Sequence, residues 1–159
     1  MRTLEPIDLD FFATAPFRVE ETIRLRTSPD RVFAAFADAP GWTRWWPLMH
    51  SARYTKGTGA LGDEREVAFR VLGKFAERFI AWEPGVRFAF SMIGTTSPLV
   101  KRVGEDYRLT PDGKGTRLDW VFASVPSTLG SATTPITRRI VRHMFRRGIP
   151  ALDRLLTAN

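Results

Sequence analysis

Between Met49 and Val125 the chain turns too often to hold a helix of ordinary length. Six segments of strand texture, 49–56, 64–71, 74–82, 86–93, 101–110 and 115–125, are separated by glycine- or proline-bearing turns at 57–62, Gly73, 84–85, 94–98 and 111–115. The last turn, Pro111-Asp-Gly-Lys-Gly115, is a strong hairpin signal, because aspartate and glycine adopt tight-turn conformations at little cost. Strands joined this closely leave no room for a crossover, so neighbours must pair antiparallel.

One strand and two short helices precede this run. Along 17–26, Phe17, Val19, Ile23 and Leu25 share one face while Arg18, Glu20, Thr22, Arg24 and Arg26 share the other, the period of a half-buried strand. Glu21 breaks the pattern by standing on the apolar side. Ser28-Pro29-Asp30 then reads as a helix start, with a capping hydroxyl, a proline at the first helical position and an acid at the positive end of the dipole. Val32, Phe33 and Phe36 give that helix a buried stripe, and Ala39-Pro40-Gly41 stops it. Trp42 to Trp46 make a second short helical turn ending at Pro47.

A basic amphipathic helix follows the strands. From Thr133 onward Ile140, Val141, Met144, Phe145, Leu152 and Leu155 fall on one half of the helical wheel, and Arg139, Arg142, Arg146, Arg147 and Arg154 on the other. Gly148 and Pro150 interrupt the pattern, which predicts one kinked helix. This stretch holds six arginines against a single acid, Asp153, so most of the chain's net charge of +7 sits here. Such a face attracts polyanions, or is simply a solvated helix surface.

These elements define an α+β, helix-grip architecture: a curved seven-stranded antiparallel sheet wrapped on a long C-terminal helix, with two short helices after strand 1. A strongly curved sheet closed by one helix leaves a cavity, the natural place for a small-molecule site. The length of 159 residues suits one such domain, expected over 17–159, with 1–16 as an extension that packs Leu9, Phe11 and Phe12 onto it. There is no cysteine, which excludes a disulfide scaffold, a zinc ribbon, an iron–sulfur protein and a thiol nucleophile. The acidic N-terminal stretch does not fit a signal peptide, and no run approaches the roughly 18 apolar residues of a membrane span. A cytoplasmic location is the expectation.

Several short motifs in the expected order now carry a resemblance. Ser28-Pro29-Asp30-Arg31-Val32-Phe33, Trp45-Trp46-Pro47, Gly59-Ala-Leu-Gly62, Trp82-Glu83-Pro84-Gly85 and Gly115-Thr116-Arg117-Leu118 resemble the signatures of the START/Bet v1-like (SRPBCC) superfamily, nearest its bacterial polyketide cyclase/dehydrase-like branch. The resemblance implies the same helix-grip fold. It is nearly silent on function, because its members bind lipids, cyclise polyketides, carry hormones or assist chaperones.

Ionisable groups on apolar faces point to chemistry, since burying a charge is costly without a partner or ligand. Glu21, Glu77 (between Phe75 and Phe79) and Glu105 (between Val103 and Tyr107) meet that description. Their bland reading is pairing with an arginine such as Arg70 or Arg78, or a place at a strand edge in water. The phase of strand 74–82 stays open, because Ala76, Ile80 and Trp82 argue for the opposite face. Glu77, Glu105, Tyr107 and His50 are the weak catalytic candidates; His50 begins a strand near the expected cavity mouth. Ligand contacts are expected from Glu21, Trp46, Phe69, Phe79, Phe88, Phe90, Tyr107, Trp120 and Met144, and anionic surface contacts from Arg139, Arg142, Arg146 and Arg147. His143, among the arginines, reads as solvated.

Three functions remain open. The first is binding, with or without transport, of a small hydrophobic ligand or lipid, the basic helix meeting an anionic membrane. The second is a cofactor-independent enzyme of the cyclase/aromatase kind, since no cofactor motif and no metal-ligating cluster is present. The third is a protein- or ribosome-interaction module using the arginine face. Nucleic acid is not the expected partner, because no helix-turn-helix, ribonucleoprotein or zinc pattern accompanies the charge. The sequence leaves the oligomeric state open.

Overall fold

In a computed structural model describing residues 1–158, each alternating segment forms a strand and the short turns close them into one antiparallel sheet. The elements are β1 (Arg2–Thr3), α1 (Phe11–Thr14), β2 (Phe17–Leu25), α2 (Pro29–Ala37), a 3₁₀ turn (Pro40–Arg44), β3 (Met49–Lys56), β4 (Glu64–Phe69), β5 (Gly73–Glu83), β6 (Arg87–Thr95), β7 (Val100–Asp112), β8 (Gly115–Pro126), α3 (Thr128–Ala132) and α4 (Thr134–Thr157). Strand order is β2-β8-β7-β6-β5-β4-β3, with β1 added on β6. The long connection through α2 and the 3₁₀ turn carries the chain from one edge strand, β2, to the other, β3.

The phase of Phe75, Glu77 and Phe79 holds on β5; of the opposing set only Trp82 reaches the concave face, beyond a bulge, while Ile80 packs on the convex side. Register shifts between Phe79 and Ala81, so Phe75, Glu77 and Phe79 share the concave face and Trp82 returns to it, while Ala81 joins the convex side. A single unpaired residue flips every later side chain to the other face.

The concave face, α2, the 3₁₀ turn and α4 enclose the main core. A smaller one lies on the convex side, where Ile7, Phe11, Phe12 and Ala15 cover Ala81, Ala89 and Ala123; Leu9 packs beside them, half-buried. The N-terminal segment also fills a gap in the sheet. β6 pairs with β7 only as far as Ser91 and Gly104, and beyond that point β1 bonds Gly94 and Thr95. Leu4 N–H donates to Ile93 O at 2.9 Å, Ile7 N–H to Ser91 Oγ at 2.9 Å, and the Leu4 side chain enters the main core. Residue 104 must be glycine here: a Cβ would stand 2.5 Å from Phe90 O and closer still to Ile7 Cδ1.

Two local details differ from expectation. Ser28 holds the N-cap position of α2 with extended backbone, but its hydroxyl makes no capping bond; Pro29 at the first position sets the start of the helix instead. The stretch after β8 forms α3, capped by Ser127 Oγ accepting from Gly130 N–H at 3.0 Å. As expected, α4 is a single helix through Pro150. Gly148 serves close approach rather than interruption, since a Cβ there would stand 2.9 Å from Trp46 Cε3. Among the described residues, no helix is long and apolar enough to cross a membrane.

Candidate functional site

The sheet and α4 leave a cavity of about 460 Å³, within the usual range for small-molecule sites. Three elements frame its mouth: the β4–β5 turn (Val71, Leu72, Gly73), the β6–β7 loop (96–99) and the first turns of α4 (Thr137, Ile140, Val141). Phe69, Met92, Val103, Phe122 and Met144 wall it, with the indoles of Trp46 and Trp120. Apolar side chains continue outside: Val71 is 74% exposed, and Ile136 and Ile140 stand exposed one turn apart on α4. Arg2 braces the rim by donating through its guanidinium to Ser97 O (2.7 Å) and Val100 O.

One lining residue is ionisable. Glu105, on the concave face of β7, is only 7% exposed. Its Oε2 accepts from Tyr107 Oη at 2.5 Å and from Trp120 Nε1 at 2.9 Å. These donors come from the same strand two residues on and from the neighbouring strand, so the period of the sheet brings them together. Burial pushes the Glu105 carboxyl up to about 7, against the pull of its two donors. The Tyr107 hydroxyl is raised well above its ordinary value by burial and by the adjacent carboxylate, which suits it to donating rather than to acting as a base.

Deeper, beyond Glu105, lies a second charge cluster. Arg65 of β4, 1% exposed, donates from Nε to Glu77 Oε2 at 2.7 Å, with Nη2 at 2.6 Å from the same oxygen. Its guanidinium lies 4.4 Å from the Trp42 ring centroid, a desolvated cation–π contact. Burial raises the Glu77 carboxyl, opposed by the Arg65 charge and hydrogen bond. This pair sits within an aromatic cluster of Phe36, Trp42, Phe79, Phe88 and Phe90.

The expected site residues therefore divide. Trp46, Phe69, Glu105, Trp120 and Met144 line the cavity. Phe79, Phe88 and Phe90 do not: their side chains fill the closed end against Trp42 and Trp82, where the 3₁₀ turn and α2 pack down. Tyr107 reaches the cavity only through Glu105. Glu21 is turned to α4, paired with Arg142 (Oε1, 2.5 Å) and Arg146 (Oε2, 3.1 Å). His50 is exposed on β3 and outside the lining. Arg139, Arg142, His143, Arg146 and Arg147 surround a shallow depression on the outer side of α4. Of the arginines there, Arg139 and Arg147 have no acidic partner among the described residues. Glu77 does pair with an arginine, but with Arg65; Arg78 bonds Glu64 instead. Arg65 was the omission: it shares a face with Val67 and Phe69, the same signal that singled out the three glutamates.

A curved antiparallel sheet gripping one long helix, with a cavity between them, defines the START/Bet v1-like class. The chain belongs to the family described as polyketide cyclase / dehydrase and lipid transport, whose model matches residues 16–157. Uncharacterized proteins of Mycobacterium tuberculosis and Mycobacterium bovis are each 34% identical over 162 residues, spanning 99% of this chain and 95% of theirs. Among solved structures, a Thermus thermophilus protein superposes with a TM-score of 0.76 at 14% identity, over 89% of this chain and 98% of that one. A START superfamily protein of Mycobacterium smegmatis gives 0.70 at 13% identity, over 87% and 96%. An aromatase/cyclase of a Streptomyces species gives 0.66 at 18%, over 88% and 90%. At these identities the structural likenesses speak for the fold alone.

Proposed function

We propose that this protein binds a small hydrophobic molecule or lipid in the sheet–helix cavity and meets an anionic membrane with the arginine side of α4. The observation that carries the reading is the cavity itself: about 460 Å³, walled by apolar side chains and open between two loops and a helix. Burying an apolar ligand there recovers roughly 25 cal/mol per Å² of surface removed from water. α4 supports the membrane half, because one helix carries both the cavity wall (Val141, Met144) and the arginine face. The family description, with lipid transport in it, is consistent with both halves.

A second reading, a cofactor-independent enzyme of the cyclase kind, has one observation in its favour: Glu105, raised to about 7, is positioned at the cavity wall to exchange a proton. Displacement of a polarity-sensitive dye tests the first reading. Phospholipids or polycyclic aromatics should displace it, and loss of dye binding on Met144→Trp should follow. An enzyme would also consume the ligand, and Glu105→Gln would abolish turnover while binding persisted.

A further inference from the structure

The cavity has many apolar partners to offer and almost no polar ones. Thr96, Ser97 and Thr137 belong to the loop and first helical turn at the rim, so Glu105 is the ionisable group of the interior, beside the indoles of Trp46 and Trp120. Its two oxygens are not equivalent. Oε2 already accepts two hydrogen bonds, from Tyr107 and Trp120, whereas Oε1 accepts none among the described residues. A proton on this carboxyl therefore belongs on Oε1, where it becomes a hydrogen-bond donor facing the ligand space.

We propose that Glu105 is a proton-gated anchor, and that the ligand is a neutral, largely apolar molecule whose carbonyl oxygen accepts a hydrogen bond from protonated Glu105 Oε1. This rests on the cavity being a binding site, and adds the chemistry of what it takes. An apolar ligand displaces water from the cavity and leaves an ionised carboxylate there with less solvation, which favours the protonated form. An acceptor on the ligand completes that form; an anionic head placed at the same spot is repelled whenever Glu105 ionises. Binding and protonation are then linked, and the ligand is held less tightly as pH rises past neutrality.

The surroundings of Glu105 fit such a switch. Tyr107 on β7 and Trp120 on β8 donate to it, Glu77 on β5 raises its affinity for a proton, and Arg65 on β4 lowers it. From α4 the groups packed at this wall are Met144 and Phe145, neither of them charged. Burial is the dominant influence on the group and places its titration at about 7.

Isothermal titration with menthone, menthol and menthane, three probes of one carbon skeleton, tests the proposal. Menthone should bind more tightly than menthane at about pH 6, and weaken roughly tenfold by about pH 8. Menthane, which desolvates the carboxyl but accepts no hydrogen bond from it, should weaken less than menthone over the same range. Glu105→Gln, whose amide N–H2 donates at every pH, should hold menthone without the pH dependence. Menthol, a donor that ionised Glu105 can accept, should not weaken with rising pH. Menthane binding with menthone no tighter and no more sensitive to pH would overturn the anchor and leave the cavity reading standing. If none of the three binds, both fail.

Discussion

Trp120 of β8 and Phe145 of α4 lie face to face, their ring centroids 4.4 Å apart and their planes within 6°. The indole that Phe145 covers is also the one that donates to Glu105 Oε2. One stack thus seats the helix on the sheet and fixes the polar wall of the cavity. Phe145→Ala should cost about 3–5 kcal/mol, as large-to-small changes of buried aromatics do. Urea denaturation followed by far-ultraviolet dichroism checks this; a loss below about 1 kcal/mol would show that α4 is seated elsewhere.

Glu105 makes stability depend on pH in a definite direction. Its carboxyl titrates at about 7 in the folded protein against an ordinary 4.5. Between those values the folded chain keeps a proton that the unfolded chain has released, so stability falls as pH rises through the window. The penalty is complete above the folded value and on the order of 3 kcal/mol. Glu105→Gln removes it and can still accept from Tyr107 and Trp120. The variant should therefore gain in Tm over the parent at about pH 8 and little at about pH 5. An equal shift at both pH values would contradict this assignment.

Arg65 and Glu77 depend on each other. Glu77→Gln leaves a cation only 1% exposed without its counter-charge, and should cost about 3–5 kcal/mol. The double change Arg65→Met with Glu77→Leu removes both charges from the aromatic cluster and should recover most of that loss. A double-mutant cycle by chemical denaturation measures the coupling. Additive losses would mean that the pair is not a unit.

The arginines of α4 should not contribute equally to membrane contact. Glu21 already engages Arg142 and Arg146, while Arg139 and Arg147 are exposed without an acidic partner among the described residues. Co-sedimentation with phosphatidylserine vesicles should fall steeply with salt, at about 1 kcal/mol per basic residue near the surface. It should fall further for Arg139→Gln/Arg147→Gln than for Arg142→Gln/Arg146→Gln. Vesicle binding indifferent to salt would remove the membrane from the account.

The strand run, its antiparallel pairing and the grip of a long helix were legible because they rest on local signals: a period of two, turn residues and a helical stripe. Contacts that join distant parts of the chain were not. Nothing local in Arg2 to Ile7 announces that this segment fills the gap between β6 and β7, although Gly104 leaves room for Ile7. The bulge at Ile80 returns Trp82 to the concave face, which no single alternation along the strand announces. The candidate site divided for the same reason. Alternation correctly put Phe79, Phe88, Phe90 and Glu105 on the concave face, but only packing against α2 and the 3₁₀ turn decides which end of that face is filled and which is open. Glu21 faces inward too, yet meets α4 arginines rather than the cavity.

The central claim, that this cavity holds a hydrophobic ligand, is tested most directly by filling it. Val103 lines the cavity two residues from Glu105 and is buried. Overpacking a filled core with a larger side chain costs about 1–3 kcal/mol, but Val103→Phe has space to enter and should stay within about 1 kcal/mol of the parent. Native mass spectrometry with solvent extraction, on both proteins purified from cells and then incubated with menthone, is the measurement. The account predicts a retained neutral mass on the parent and none on an equally folded Val103→Phe variant. A parent that carries nothing and takes up nothing, or a mass retained equally by both, would contradict it.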